Sequence, residues 1–186
     1  MDYLEIHDNF FPPEEIKTIN EYLTRPNWSF NGGGSTEDND FHSHFWHMDG
    51  LEKIDYFGKN LWEFIRRQMF GYDVGYKYST PFYKDVELIR CYANGQTAGQ
   101  SGVPHTDDGD TTILFFPNQW KHYWGGHLYF SKKNNFGQPD YIDRTVEYRY
   151  NRLIKFDANV QHYSGAPVLS YGGLRISLAF KVKVLS

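Results

Sequence analysis

Along this chain the spacing of apolar residues changes rhythm about two fifths of the way through. Tyr3 to Ile6 alternates apolar and polar residues, which predicts a short opening strand. Phe10-Phe11-Pro12-Pro13-Glu14-Glu15 then sets prolines and acids where a helix begins, and Ile16, Ile19, Tyr22 and Leu23 follow at helical spacing. A second helix is predicted over residues 51–69, with Ile54, Phe57, Leu61, Phe64 and Ile65 on one face. Between the two helices, Ser29 to Gly50 is polar and aromatic and carries Gly32-Gly33-Gly34 with Glu37, Asp38 and Asp40. It reads as a long loop with the role of a lid.

From Val86 the helical rhythm gives way to short β runs. Strands are predicted over residues 86–92, 111–116, 126–130, 145–150, 153–157, 161–164 and 174–184. Turn signals separate them, among them Ala93-Asn94-Gly95, Pro117-Asn118, the segment Asn134 to Pro139, and Tyr171-Gly172-Gly173. Many short strands after two helices predict a mainly β, α+β fold: a double-stranded β-helix, or jelly roll, backed by N-terminal helices. One domain is expected over 1–186, with 1–75 as helical support and lid loop and 80–186 as the jelly-roll core.

Composition agrees with this and narrows the chemistry. Aromatic residues make up 19% of the chain, which leans toward strands. The net charge of −4 argues against a nucleic-acid binder, which carries a basic surplus or stripe. The single cysteine, Cys91, lies in the apolar run Leu88 to Tyr92; it excludes an intramolecular disulfide and a multi-thiolate metal site, and reads as a buried inert thiol. The N-terminus has no basic start and no apolar core of a secretory signal, and no apolar run is long enough to span a membrane. A cytoplasmic location is the simplest expectation.

Three features carry chemistry. In Pro104-His105-Thr106-Asp107, residues two apart on an extended chain face the same way, so an imidazole and a carboxylate can enter one barrel mouth. Far downstream, His162 in Gln161-His162-Tyr163-Ser164-Gly165 has enough intervening chain to return beside them. Two imidazoles and one carboxylate are the facial triad of non-haem iron(II) oxygenases, which leaves coordination positions open. Third, in Gly173-Leu174-Arg175-Ile176-Ser177-Leu178-Ala179 the alternation puts Arg175, Ser177 and Ala179 on one face. A buried arginine needs a partner, and the far carboxylate of a dicarboxylic acid is one that a guanidinium grips with two parallel hydrogen bonds; Ser177 adds a further donor.

Taken together these segments resemble the 2-oxoglutarate- and iron(II)-dependent dioxygenases, closest to their prolyl 4-hydroxylase-like branch, over nearly the whole chain. The opening Tyr3 to Glu15 is similar to that branch's strand-helix start. Arg90-Cys91-Tyr92-Ala93-Asn94-Gly95-Gln96 resembles its R-x-Y-x-x-G segment, and Gly125-Gly126-His127-Leu128-Tyr129-Phe130 its G-G-x-L-x-F strand. Arg152-Leu153-Ile154-Lys155-Phe156 resembles the strand before the distal histidine. The resemblance implies His105, Asp107 and His162 as iron ligands, Arg175 as the anchor for the C5 carboxylate of 2-oxoglutarate, and Tyr92 as a hydrogen-bond partner of the same co-substrate. In collagen-type prolyl hydroxylases that anchor is a lysine; Arg175 stands in its place here, as in other members. The implied reaction hydroxylates an unactivated C–H bond with O2, releasing succinate and CO2, and admits ascorbate as an accessory reductant. The branch points to a prolyl residue of a peptide or protein, while relatives act on small molecules. No nucleic-acid or membrane partner is implied.

Other readings of the same residues are a cupin-like metalloenzyme without 2-oxoglutarate, which has no need of Arg175 as an acid anchor, and a non-catalytic jelly-roll binding module. His42, His44 and His47 form a tempting second cluster, but no carboxylate or thiol framework surrounds them; a lid or substrate-contact role suits them better. His127 reads as a strand residue beside a turn that holds His122. Asp107-Asp108-Gly109-Asp110 is acidic but lacks the closing glutamate of a calcium loop.

Overall fold

In a computed structural model, the described residues are 3–32, 44–71, 84–134 and 137–185. They form two antiparallel sheets. The larger has seven strands in the order β1-β8-β5-β10-β4-β3-β2, and the smaller has three, β7-β6-β9. The larger sheet comprises β1 (Leu4–Asp8), β2 (Ser29–Gly32), β3 (His44–Met48), β4 (Val86–Gln96), β5 (Thr111–Phe116), β8 (Arg152–Asp157) and β10 (Arg175–Val184). The smaller comprises β6 (Leu128–Lys133), β7 (Pro139–Val146) and β9 (His162–Ser164). Helices α1 (Pro13–Leu23) and α2 (Trp62–Phe70) cover the outer face of the larger sheet. No helix among the described residues is long and apolar enough to cross a membrane.

Strand alternation sorts side chains into two cores. Cys91, Ala93, Ile113, Phe115, Leu153, Ile176, Leu178, Phe180 and Val182 point outward, onto Ile16, Ile19, Leu23, Leu61 and Ile65 of the helical layer. Tyr92, Leu114, Phe116, Ile154, Phe156 and Ala179 point inward, onto Leu128, Phe130 and Val146 of the smaller sheet. This sandwich is the expected jelly roll, and the space between its sheets holds the candidate site. Cys91 is buried, and burial pushes its thiol well above the usual range, in keeping with an inert role.

Four elements differ from the sequence reading, the first being β4, which runs on through Ala93-Asn94-Gly95, expected as a turn, to Gln96. Residues 29–50 are not simply a loop: β2 and β3 pair as a hairpin and extend the larger sheet through β3 on β4 (Trp46 opposite Gly95, Met48 opposite Ala93). Residues 33–43, the middle of the expected lid, lie outside the described residues. The second helix is broken into a 3₁₀ turn at Leu51–Lys53, a π-helical stretch at Tyr56–Leu61, and α2. The turns stack closely, since a Cβ on Gly58 would lie 1.9 Å from the Glu52 carbonyl oxygen. Finally, the strand expected over 145–150 is β7, which ends at Val146. Six of its eight residues are exposed, so it carried no apolar alternation to read.

At the edge strand β1, Asp8 anchors the sheet by a two-pronged pair with Arg152, at 2.6 Å to Nε and 2.9 Å to Nη2. The hydrogen bond from Arg152 holds the Asp8 carboxyl below its ordinary value, against partial burial, with Arg149 adding to the pull. A carboxyl depressed in the folded state stabilises fully above its unfolded value, near pH 3.9, and that contribution fades as pH falls through the folded value. Asp8→Asn is therefore expected to cost about 1 kcal/mol at pH 7, discounted for the exposure of the pair, with the difference closing at a pH well below the unfolded value. Urea denaturation at both pH values checks this.

Candidate active site

Backbone pairing brings the distant histidines side by side. The His105 N–H donates to the His162 carbonyl at 3.0 Å, and the His162 N–H returns the bond at 2.9 Å. Gly102 N–H to Ser164 O at 2.7 Å and Asp107 N–H to Ala158 O at 2.9 Å continue the contact. The H-x-D segment thus runs antiparallel beside β9 as an irregular fourth strand of the smaller sheet. The alternation read from sequence then points His105 and Asp107 the same way, and the imidazole rings of His105 and His162 stand 4.5 Å apart.

The ring nitrogens are sorted by their partners. His105 Nδ1 lies 2.8 Å from the Val103 carbonyl and His162 Nδ1 lies 2.9 Å from the Val160 carbonyl. A carbonyl only accepts, so each Nδ1 carries a hydrogen, which leaves Nε2 as the ring nitrogen able to bind a metal. Both Nε2 atoms face Asp107: His105 at 3.6 Å from Oδ1 and His162 at 3.3 Å from Oδ2. One donor atom from each of the three residues lies within 4.8 Å of the other two, and this is the one such cluster of three among the described residues. Burial opposes the negative charge of Asp107, but His162, Lys181 and His105 outweigh it and hold the carboxyl far below its usual range. Burial, and then the neighbouring His162, push the His105 imidazole down, which favours the neutral form that a metal needs.

Arg175 opens β10, and its register opposite Gln96 sets it in the inward row with Ser177, Ala179 and Lys181. It is 1% exposed. Nε donates to the Gly126 carbonyl at 2.7 Å and Nη1 to Gln96 Oε1 at 2.7 Å, while Nη2 is buried with no partner. The ring centres of Tyr148 and Phe116 lie 4.8 and 5.4 Å from its guanidinium carbon. None of the ion pairs among the described residues involves Arg175, and burial pulls its guanidinium down to about 10. A buried cation with a free donor and only neutral partners fits the distal carboxylate of a 2-oxo diacid. Gly126 serves this anchor directly: its φ is +68°, and a Cβ there would lie 2.9 Å from Arg175 Cδ and 3.1 Å from the Trp120 ring. Gly126→Ala is expected to destabilise the fold by about 2 kcal/mol, read as a drop in Tm of roughly 4–8 °C.

The other expected residues are placed as follows. Tyr92 is buried in the inward core, with the His47 ring tilted against it at 5.1 Å and Arg90 4.8 Å over its ring. Ser177 is buried in the same row as Arg175. His47 bonds Asn94 and Asp49 instead of a metal cluster; His42 lies outside the described residues. His127 precedes β6 and its Nδ1 accepts weakly from the Tyr148 N–H at 3.4 Å. Asp108 pairs with Arg90, and Asp110 Oδ2 accepts from the Val184 N–H, so both have structural roles. Sequence reading missed Thr112, Gln96 and Lys181. For Lys181 the signal was present: it is the fourth residue of the alternating row that starts at Arg175.

This fold is that of the 2-oxoglutarate–iron(II) oxygenases. No protein-family model and no curated protein sequence matches the chain. Solved structures do. A prolyl-4-hydroxylase from Pseudomonas putida matches with a TM-score of 0.62 at 15% identity, over 96% of this chain and 92% of that one. A prolyl hydroxylase from Trichoplax adhaerens, in complex with a peptide fragment of the hypoxia inducible factor oxygen degradation domain, matches with 0.64 at 14% identity, over 100% and 84%. HygX from Streptomyces hygroscopicus, with nickel and 2-oxoglutarate bound, matches with 0.65 at 12% identity, over 97% and 82%; another of its structures also holds hygromycin B. At such identities the likeness establishes the fold.

Proposed function

We propose that this protein is an iron(II)- and 2-oxoglutarate-dependent dioxygenase, with His105, Asp107 and His162 as the metal ligands. The observation that carries this is the convergence of two imidazole Nε2 atoms and one buried carboxylate, each imidazole turned by a backbone carbonyl behind it. Arg175 takes the C5 carboxylate of 2-oxoglutarate through its unused Nη2, with Ser177 in the same row and Tyr92 on the neighbouring strand opposite Ala179. A cupin-like enzyme or a plain binding module gives no reason for that buried, unpaired guanidinium. Bound iron would supply oxidative decarboxylation of the 2-oxo acid and hydroxylation of a C–H bond, using O2 and yielding succinate and CO2. The chain's own part is to orient the acid between the triad and Arg175, and to exclude water with Phe130, Phe156 and Tyr92.

The finer reading is a prolyl residue of a peptide or protein as substrate. The Pseudomonas putida and Trichoplax adhaerens neighbours are prolyl hydroxylases, whereas a structure of HygX holds hygromycin B, so peptide and small-molecule substrates are separate arms of the test. Anaerobic addition of iron(II) and then 2-oxoglutarate should give a visible charge-transfer band at one equivalent of each. Oxygen should then yield succinate, with a 16-dalton gain on proline-containing library peptides. No iron(II) binding would refute the class; a mass gain only on small molecules would refute the peptide reading.

A further inference from the structure

Lys181 is the charged group for which the proposed function has no use. It lies on β10 in the inward row, is 1% exposed, and faces Thr112 across the pairing with β5. Its ammonium touches Asp107 Oδ2. It also lies 3.3 Å from Thr112 Oγ1 and 5.6 Å from the centre of the Tyr92 ring. Thr112 donates its hydroxyl hydrogen to the same Asp107 oxygen at 2.6 Å. One carboxylate oxygen is thereby held by two side chains of the larger sheet, while Oδ1 faces His105 Nε2. The register of β4 against β10 shifts beside this lysine, between Lys181 and Val182, a local irregularity of the kind found next to functional sites.

A lysine is almost never fully buried without a partner. This one is paired with the single carboxylate that the two imidazoles share. We propose that Lys181 is a resident cation of the metal centre: it occupies Oδ2 of Asp107, leaves Oδ1 to the metal, and makes the centre one charge more positive. The inference rests on the proposed function. Its consequence follows from the sign of the charge. A fixed ammonium beside Asp107 repels a divalent ion and attracts the anionic chelating end of a 2-oxo acid. The lysine therefore weakens metal binding and strengthens co-substrate binding, whereas a residue that merely supported the fold would move both in the same direction.

The test measures manganese(II) binding by electron paramagnetic resonance and 2-oxoglutarate binding to the manganese form by calorimetry. In Lys181→Met the manganese Kd is expected to fall at least tenfold and the 2-oxoglutarate Kd to rise at least tenfold. Lys181→Arg, which keeps the charge, should restore both toward the wild-type values. If Lys181→Met does not fold, Lys181→Gln is read instead, with the same opposed shifts expected. Any pattern other than opposed shifts, in a folded variant, overturns the proposal. If the wild-type protein binds neither manganese nor 2-oxoglutarate, it is the proposed function that fails.

Discussion

Replacing His162 is expected to abolish stoichiometric iron(II) binding and with it all 2-oxoglutarate turnover. His162 is 4% exposed and packs 4.6 Å from the ring of Phe156, so His162→Ala would also leave a cavity and cost about 1–3 kcal/mol of stability. His162→Gln keeps most of the volume and separates the two effects. In that variant the fold should survive, shown by an unchanged circular dichroism spectrum and a Tm within a few degrees of wild type. Iron affinity should fall on the order of a thousandfold, about 4 kcal/mol, because two donors are left where three converged. Iron bound at one equivalent with unchanged affinity in His162→Gln would remove the triad assignment.

Arg175→Ala should divide the site in two. Its guanidinium lies in the pocket of Gly126, Gln96, Tyr148 and Phe116, while its row-mate three alternations on, Lys181, is the one that reaches Asp107. Removing the guanidinium leaves the triad's own contacts in place, so iron affinity should change little. The C5 carboxylate of 2-oxoglutarate would lose a charge-assisted pair in a water-poor site, a loss of about 3 kcal/mol or roughly a hundredfold in Kd. Calorimetry with 2-oxoglutarate, and with a monocarboxylic 2-oxo acid as control, reads the difference. The monocarboxylic acid should bind wild type and variant alike. Equal 2-oxoglutarate affinity in both proteins would refute Arg175 as the anchor.

Much of this was legible because it depends on period-two alternation. That pattern alone put Arg175, Ser177 and Ala179 on one face of β10 and Ile176, Leu178 and Phe180 on the other, and the structure keeps that division. It also aimed His105 and Asp107 together. What it could not supply was anything set by pairing. The strand β7 is mostly exposed and exists because β6 offers it a ladder, so its own residues carry no apolar signal. The hairpin of β2 and β3 looked like a loop, because its strands are short, polar and aromatic and are held by the edge of β4. Within the π-helical stretch at Tyr56–Leu61, Gly58 packs closely against the Glu52 carbonyl, a contact invisible to spacing.

The site divides along the same line. By itself the sequence determined which residue types could chelate a metal and which strand carried a cation inward, since both are local properties of alternation and chemistry. Only the tertiary structure decided that the carbonyls of Val103 and Val160 turn both imidazoles by Nδ1, that Arg175 is buried with a donor unused, and that Lys181 and Thr112 claim one oxygen of Asp107. Those facts need strands far apart in the chain to lie in register, and register is settled by the sum of sheet pairing and core packing rather than by any segment alone.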